Sequence, residues 1–266
     1  MHNINGTPAP YDGAGVIDCM MIGLLSWTAP VRGVRQRGIQ VRERMILRSR
    51  FLEAEVLRGP HTPEAAMRRR VHAAAKKLEK RGVRQVVLPE DFPYRDHLEG
   101  LQPVSALPLR QALAADWVRW ALIRQGTAAA GARVAVCADR LSGEVVRTVT
   151  ELSLRHRYVL LDVPYGGEEL CRRLRREYGV SLLLGPSKDQ LEGAEALVLF
   201  DPRTDLSMAN PVALRLYDEA QPLPLLTLPP EAEEAVPQGV DRGQLLAVLR
   251  EAGALKREQI ALGGKA

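Results

Sequence analysis

The stretch GARVAVCADRLSGEVVRTVTELSLRHRYVLLDVPYGGEELCRRLRREYGVSLLLGPSKDQLEGAEALVLF, residues 131–200, decides the fold. Four short apolar runs recur in it, at 133–138 (RVAVCA), 158–163 (YVLLDV), 180–184 (VSLLL) and 196–200 (ALVLF). Amphipathic patterns separate the first three. Val145, Val149 and Leu152 align over 143–155, and Leu170, Leu174 and Tyr178 align over 168–178, where Gly179 supplies a stop. Continuous apolar strands alternating with such helices specify a parallel sheet covered on both faces. The crossovers are then right-handed. The expectation is an α/β protein with a three-layer, Rossmann-like parallel sheet over 131–230, with 223–228 as a candidate fifth strand.

Toward the C-terminus, 229–239 (PPEAEEAVPQG) reads as an acidic, proline-bearing linker. Asp241 then suits the cap of a last helix carrying Leu245, Leu249 and Ala252. Residues 231–266 are read together as linker and C-terminal helix, with 263–266 frayed. Toward the N-terminus, residues 1–130 read as a smaller, basic α/β domain. Residues 39–51 alternate as a strand exposed on one side, Met67, Val71, Ala74 and Leu78 mark a helix, and 84–88 is a short strand. Thr62 reads as the cap of that helix, Pro63 as its first position and Gly82 as its stop. Residues 109–125 read as one further helix with Trp117 and Trp120 on its apolar face. The stretch 16–27 is apolar but shorter than the roughly 20 residues of a membrane span, so it reads as a buried element. No secretory signal is visible in the first residues, and a cytoplasmic protein is expected.

Composition excludes several classes. With 46% hydrophobic and 26% charged residues, neither general disorder nor a fibrous repeat fits. Cys19, Cys137 and Cys171 form no metal or disulfide spacing and read as small buried hydrophobes. The five histidines include no HExxH pair, so no metal site is expected. GxSxG and GxxxxGK[ST] are absent.

Charge is divided unevenly. Residues 31–84 hold 16 Lys or Arg against 5 Asp or Glu, whereas the whole chain carries only +5. Seven of these cations (Arg68, Arg69, Arg70, Lys76, Lys77, Lys80, Arg81) crowd one helix. Self-repulsion on such a face implies an anionic neighbour. The acidic remainder of the chain, in the same molecule or a second subunit, is the expected one. Nucleic acid is expected to bind only weakly, and a membrane not at all.

Ligands of open parallel sheets bind beyond the carboxyl ends of the strands, where strand order reverses. That edge contains Asp139, Ser142 and Gly143 after the first strand, and Asp162, Gly166 and Gly167 at the second. Gly185, Ser187 and Lys188 follow the third, and Asp201 follows the fourth. These ten residues are the candidate ligand-binding set. Asp162 lies where a dinucleotide fold keeps an acid for the ribose hydroxyls. The first turn, however, reads ADRLSG, and GxGxxG is absent, so side chains would crowd a pyrophosphate and Asp139 would repel it. The cofactor is therefore unknown, with NAD(P) a poor fit. Gly185-Pro186-Ser187-Lys188 opens a short helix whose N-terminus could hold phosphate. The sequence supports a small-molecule binder, possible nucleotide ligands included, at the strand ends. The alternative is a non-catalytic regulatory or assembly protein, acting through its basic segment on a protein partner or a second copy. No catalytic residue stands out, and whether the chain is an enzyme is left open.

Overall fold

The computed structural model describes residues 21–31 and 38–263. Cys19 and residues 16–20 of the apolar run at 16–27 lie outside the described residues, and the rest of that run leads into and forms most of the first strand. The first sheet contains β1 (Ile22–Thr28), β2 (Ile39–Ile46), β3 (Ser49–Leu57), β4 (Gln85–Val87) and β5 (Gln102–Pro103), in the order β2-β3-β1-β4-β5. β1 pairs parallel with β3 and β4, and only β2 runs antiparallel. The strand expected over 39–51 is in fact a hairpin. It reverses at Leu47 and Arg48, with φ of 44° and 68°. Such positive φ at both central residues is the two-residue turn whose twist matches the strands. A Leu-Arg pair gives none of the usual Asn-Gly signal, so the turn was invisible in sequence.

Helix α1 (Glu64–Glu79) follows β3 and packs on it with Met67, Val71, Ala74, Ala75 and Leu78, all buried. Thr62 is not its cap. Pro63 holds that position without a side-chain bond, and the Thr62 hydroxyl accepts from the Gly59 N–H at 2.9 Å instead. Gly82, at φ 83°, does close the helix region.

The expected single helix over 109–125 is two, α2 (Leu107–Ala112) and α3 (Ala114–Arg124). Leu113 between them sits at φ −93°, ψ 2°. The bend serves two cores. Leu109 and Leu113 join the first sheet's cluster, whereas Ala114, Trp117, Val118 and Leu122 join the second's. Trp117 is buried and Trp120 half-buried, as core residues.

The second sheet contains β6 (Arg133–Cys137), β7 (Tyr158–Asp162), β8 (Leu183–Leu184), β9 (Ala196–Leu199) and β10 (Val212–Arg215). Its order is β10-β9-β6-β7-β8, and every pairing is parallel. In order of appearance this is 5-4-1-2-3, the doubly wound, Rossmann-like arrangement, which reverses between β6 and β9. Helices α4 (Gly143–Arg155), α5 (Gly167–Tyr178) and α6 (Lys188–Glu192) make the crossovers. The fold class read from the sequence is thus the observed one.

Three details differ. The third strand is only two residues long and lies at the edge. The fifth parallel strand is β10, which the sequence reading passed over. Residues 223–228 contribute only β11 (Leu226–Thr227), paired antiparallel with β12 (Ala261–Leu262). Pro222 and Pro224 carry no N–H for a ladder, which shortens that segment. The acidic stretch read as a linker folds into α7 (Pro230–Ala235). The last helix, α8 (Arg242–Glu251), is capped by Asp241 as expected, its carboxylate accepting from Gln244 N–H at 2.9 Å. It returns to the first sheet, where Leu245, Leu246, Val248 and Leu249 pack with Leu24, Phe51 and Val87. Among the described residues, no helix is long and apolar enough to cross a membrane.

Candidate functional site

The reversal point lies between the carboxyl ends of β6 and β9. A dinucleotide fold would offer the pyrophosphate free backbone N–H groups there. Here the N–H of Asp139 donates to Asp201 Oδ2 at 2.9 Å. An internal carboxylate therefore occupies the place where a phosphate would accept. The following helix end is also satisfied from within. Ser142 caps α4, its hydroxyl accepting from Val145 N–H at 3.2 Å, and Glu144 adds negative charge in the first turn. Gly143 is the first residue of that helix.

Asp162, at the end of β7, is engaged as well. Arg203 donates to its Oδ2 through Nη1 at 2.6 Å. The same guanidinium grips Asp205 with two further bonds, Nε to Oδ1 and Nη2 to Oδ2, each 2.8 Å. Bidentate, charge-assisted pairs of this kind are short and directional. Arg203 holds the Asp205 carboxyl down to about 2. These bonds in turn raise the Arg203 pKa, the Asp205 bonds foremost and Asp162 next. Arg203 thus bridges the loop after β9 to the end of β7 and spans the crevice from within. Beneath it lies Cys137, whose thiol burial pushes up to about 12, with the Asp162 charge adding to the effect. A thiol so protonated is no nucleophile near neutral pH.

The third strand end is likewise capped. Ser187 and Gln190 form a reciprocal capping box at the start of α6, and Lys188 reaches Glu192 at 3.8 Å. α6 is a five-residue helix whose first turn also carries Asp189. The phosphate reading of this turn has no free donor set behind it.

An open cavity of about 520 Å³ remains at the carboxyl ends of β7 and β8. Leu161, Val163, Pro164 and Leu184 supply its apolar lining, and Gly166, Gly167 and Gly185 line it as well. Gly166 requires its glycine, because φ is 80° and a Cβ there would stand 2.8 Å from Leu141 Cδ1. Tyr165 stands at the mouth, 84% exposed. Glu168, Glu169 and Arg172 supply the polar side, and Arg172 pairs with Glu169 at 2.9 Å. Of the ten sequence candidates, Gly166, Gly167 and Gly185 line this cavity. Asp139, Asp162 and Asp201 stand along the crevice and are tied to protein groups. Ser142, Gly143, Ser187 and Lys188 serve helix ends. Arg203 and Asp205 were not among the candidates; an Arg two residues past Asp201, in the loop after the apolar β9, was the available signal.

A second polar cluster lies in the first sheet. Glu53 on β3 is 1% exposed and accepts from Ser26 Oγ at 2.9 Å, Arg44 Nη1 at 3.0 Å and Arg42 Nε at 3.3 Å. Its bonds link β1, β2 and β3. The two sheets are joined where Ser105 Oγ meets Glu219 Oε1 at 2.6 Å and Arg110 Nη2 donates to the Glu219 carbonyl at 3.0 Å. Burial lowers the pKa of Arg110, whose guanidinium lies 5.9 Å from the Trp117 ring. Among the described residues, no group of three or more His, Cys, Asp or Glu is placed to hold a metal ion.

No family model and no curated protein matches the chain. Solved structures similar to it include shikimate 5-dehydrogenase from Listeria monocytogenes in complex with shikimate and NAD. That match has 9% identity and a TM-score of 0.26, over 55% of this chain and 58% of that one. L-tryptophan dehydrogenase from Nostoc punctiforme matches at 10% identity and a TM-score of 0.28, over 67% and 56%. D-lactate dehydrogenase with NAD+ from Lactobacillus jensenii matches at 14% identity and a TM-score of 0.24, over 50% and 46%. The chain spans about half the length of these structures.

Proposed function

We propose that this chain is a binding protein for a small, planar, weakly charged ligand of nucleoside type, held at the carboxyl ends of β7 and β8. The observation that carries the reading is the 520 Å³ cavity beside Gly166 and Gly167, at the edge where doubly wound sheets receive ligands. Its size suits a nucleoside, and Tyr165 at its mouth offers a ring face for stacking. The cavity's charge argues against phosphate. Arg172 is engaged by Glu169, and Glu168 leaves an excess of negative charge. The neighbouring crevice supports the same restriction, because Asp201 and Arg203 occupy the groups that a dinucleotide would need.

The test is a thermal-shift screen with nucleosides, nucleotides and dinucleotides. A ligand at about 100 times Kd adds about 2.7 kcal/mol to a two-state fold, and at about 2–4 °C per kcal/mol this raises Tm by roughly 5–10 °C. The exposed Tyr165→Ala change should remove most of that shift without lowering the unliganded Tm. Shifts confined to phosphorylated compounds, or unchanged in Tyr165→Ala, would overturn the reading.

A further inference from the structure

Among the described residues of a single chain, the crowded cations of α1 meet no acidic surface. Of the seven, Arg68 alone has an ion pair among the described residues, with Glu64 one turn earlier at 3.2 Å. Arg70 is half-buried and donates to the Leu57 carbonyl, and Arg69 donates to the Ala65 carbonyl at 3.3 Å. Two further acids at the helix pair with groups outside the seven: Glu79 with Arg84 at 3.9 Å and Glu99 with His72 of α1 at 3.1 Å. Lys76, Lys77, Lys80 and Arg81 are exposed, with no carboxylate within ion-pairing distance among the described residues.

These side chains form a line. At 100° per residue, Arg69, Lys76 and Lys80 fall within about 40° of one another, and a rise of 1.5 Å per residue spreads them over about 16 Å. Lys77 flanks the line and Arg81 extends it past the helix end. Ala73, the residue between Arg69 and Lys76 on this face, is too small to obstruct a partner. The C-terminal helix dipole favours cations in the last turn, but that field fades within one turn and does not reach Arg69.

We infer that this face of α1 binds the phosphate backbone of nucleic acid without reading its sequence. Three polyanionic partners compete for such a surface, and the observations separate them. A membrane-surface helix inserts an apolar face into lipid. The apolar residues of α1 (Met67, Val71, Ala74, Ala75 and Leu78) are all closed against the first sheet at 0–2% exposure, so none is left to insert. An acidic protein, or a second copy of the chain, would form an interface with an apolar, charge-depleted centre, and this stripe offers no exposed large apolar residue. A phosphodiester backbone needs only cations at intervals along a line, because phosphate contacts fix position while base contacts give specificity. No aromatic side chain lies on the stripe, so stacking on bases is not expected. This surface is separate from the β7–β8 cavity, and the inference does not depend on what the cavity holds.

The experiment is fluorescence anisotropy of the full chain with a generic 20-base-pair duplex between 50 and 200 mM salt. The wild type is compared with the exposed triple variant Lys76→Gln/Lys77→Gln/Lys80→Gln and with the distant control Lys256→Gln. About four phosphate contacts give a log–log salt slope near −3.6, so affinity should fall on the order of a hundredfold across that range. The triple variant should lower affinity at 50 mM salt at least tenfold and flatten the slope by about three contacts, while the control behaves as wild type. Circular dichroism confirms that the variant is folded. Absence of binding at 50 mM salt, equal loss in the control, or a slope unchanged in the triple variant would overturn the inference. So would binding to phosphatidylserine vesicles in place of duplex, or a concentration-dependent dimer abolished by the triple variant.

Discussion

Removing Arg203 tests how the crevice is closed. Arg203→Met keeps the aliphatic stem and deletes the guanidinium, so Asp162 and Asp205 lose their cation together. The Asp162 arm is a 2.6 Å bond between side chains 26% and 28% exposed. A hydrogen bond to a charged group contributes about 1.5–3 kcal/mol, and partial exposure with salt screening pulls that value down. A coupling of about 1–2 kcal/mol is expected for this arm, or roughly 2–8 °C in Tm. The assay is a double-mutant cycle of Arg203→Met and Asp162→Asn by urea denaturation. The pH dependence has a defined sign. Asp205 falls from its ordinary 3.8 to about 2 because Arg203 bonds its charged form. The contribution of a carboxyl with lowered pKa is complete above its unfolded value and disappears as pH falls through its folded one. The gap between wild type and Arg203→Met should therefore narrow between pH 4 and pH 2. Additive single changes, with coupling below about 0.3 kcal/mol, or a gap that widens in acid, would refute the bridge.

Three further outcomes follow from particular positions. Gly166→Ala forces a Cβ into the left-handed region beside Leu141 and should cost about 1–2 kcal/mol, measured by thermal denaturation; a neutral change would contradict the turn geometry. Leu249→Ala removes a fully buried side chain of α8 and should cost about 2–5 kcal/mol. Hydrogen exchange should then quicken in β1 and β3; a response confined to α8 would show that the helix does not support the first sheet. Cys137 should resist alkylation at pH 8 in the folded protein and react on unfolding, as read by peptide mapping, since its thiol is pushed up to about 12; rapid native alkylation would contradict the buried placement.

The second sheet was legible because its strands are apolar on both faces and its helices are strongly periodic, signals that survive in one sequence. Strand β10 was missed because VALR is only four residues long, with Arg215 already exposed, so periodicity has nothing to grip. The α8 helix was visible, but its place was not: apolar spacing shows that a face is buried and not against what. The Leu47–Arg48 turn lacked any residue that announces positive φ. The candidate site was half legible. Acids at the ends of β6, β7 and β9 were apparent from strand positions, and the missing glycines argued against a dinucleotide. That Asp201 would accept from Asp139, and Arg203 from the next loop would clamp Asp162, depends on strand order, which one sequence does not reveal. The basic helix was legible as a charge pattern, while the scarcity of carboxylates around it needed coordinates.

The protein's own groups occupy the crevice between β6 and β9, which argues against orthodox dinucleotide binding there. The most direct measurement is isothermal titration of the wild-type chain with NAD+ and with NADPH to millimolar concentration. The expected result is no saturable heat with either. Saturable binding with a micromolar Kd, lost in Asp162→Ala, would show that the Asp201 and Arg203 contacts yield to the cofactor and that the crevice is open to it.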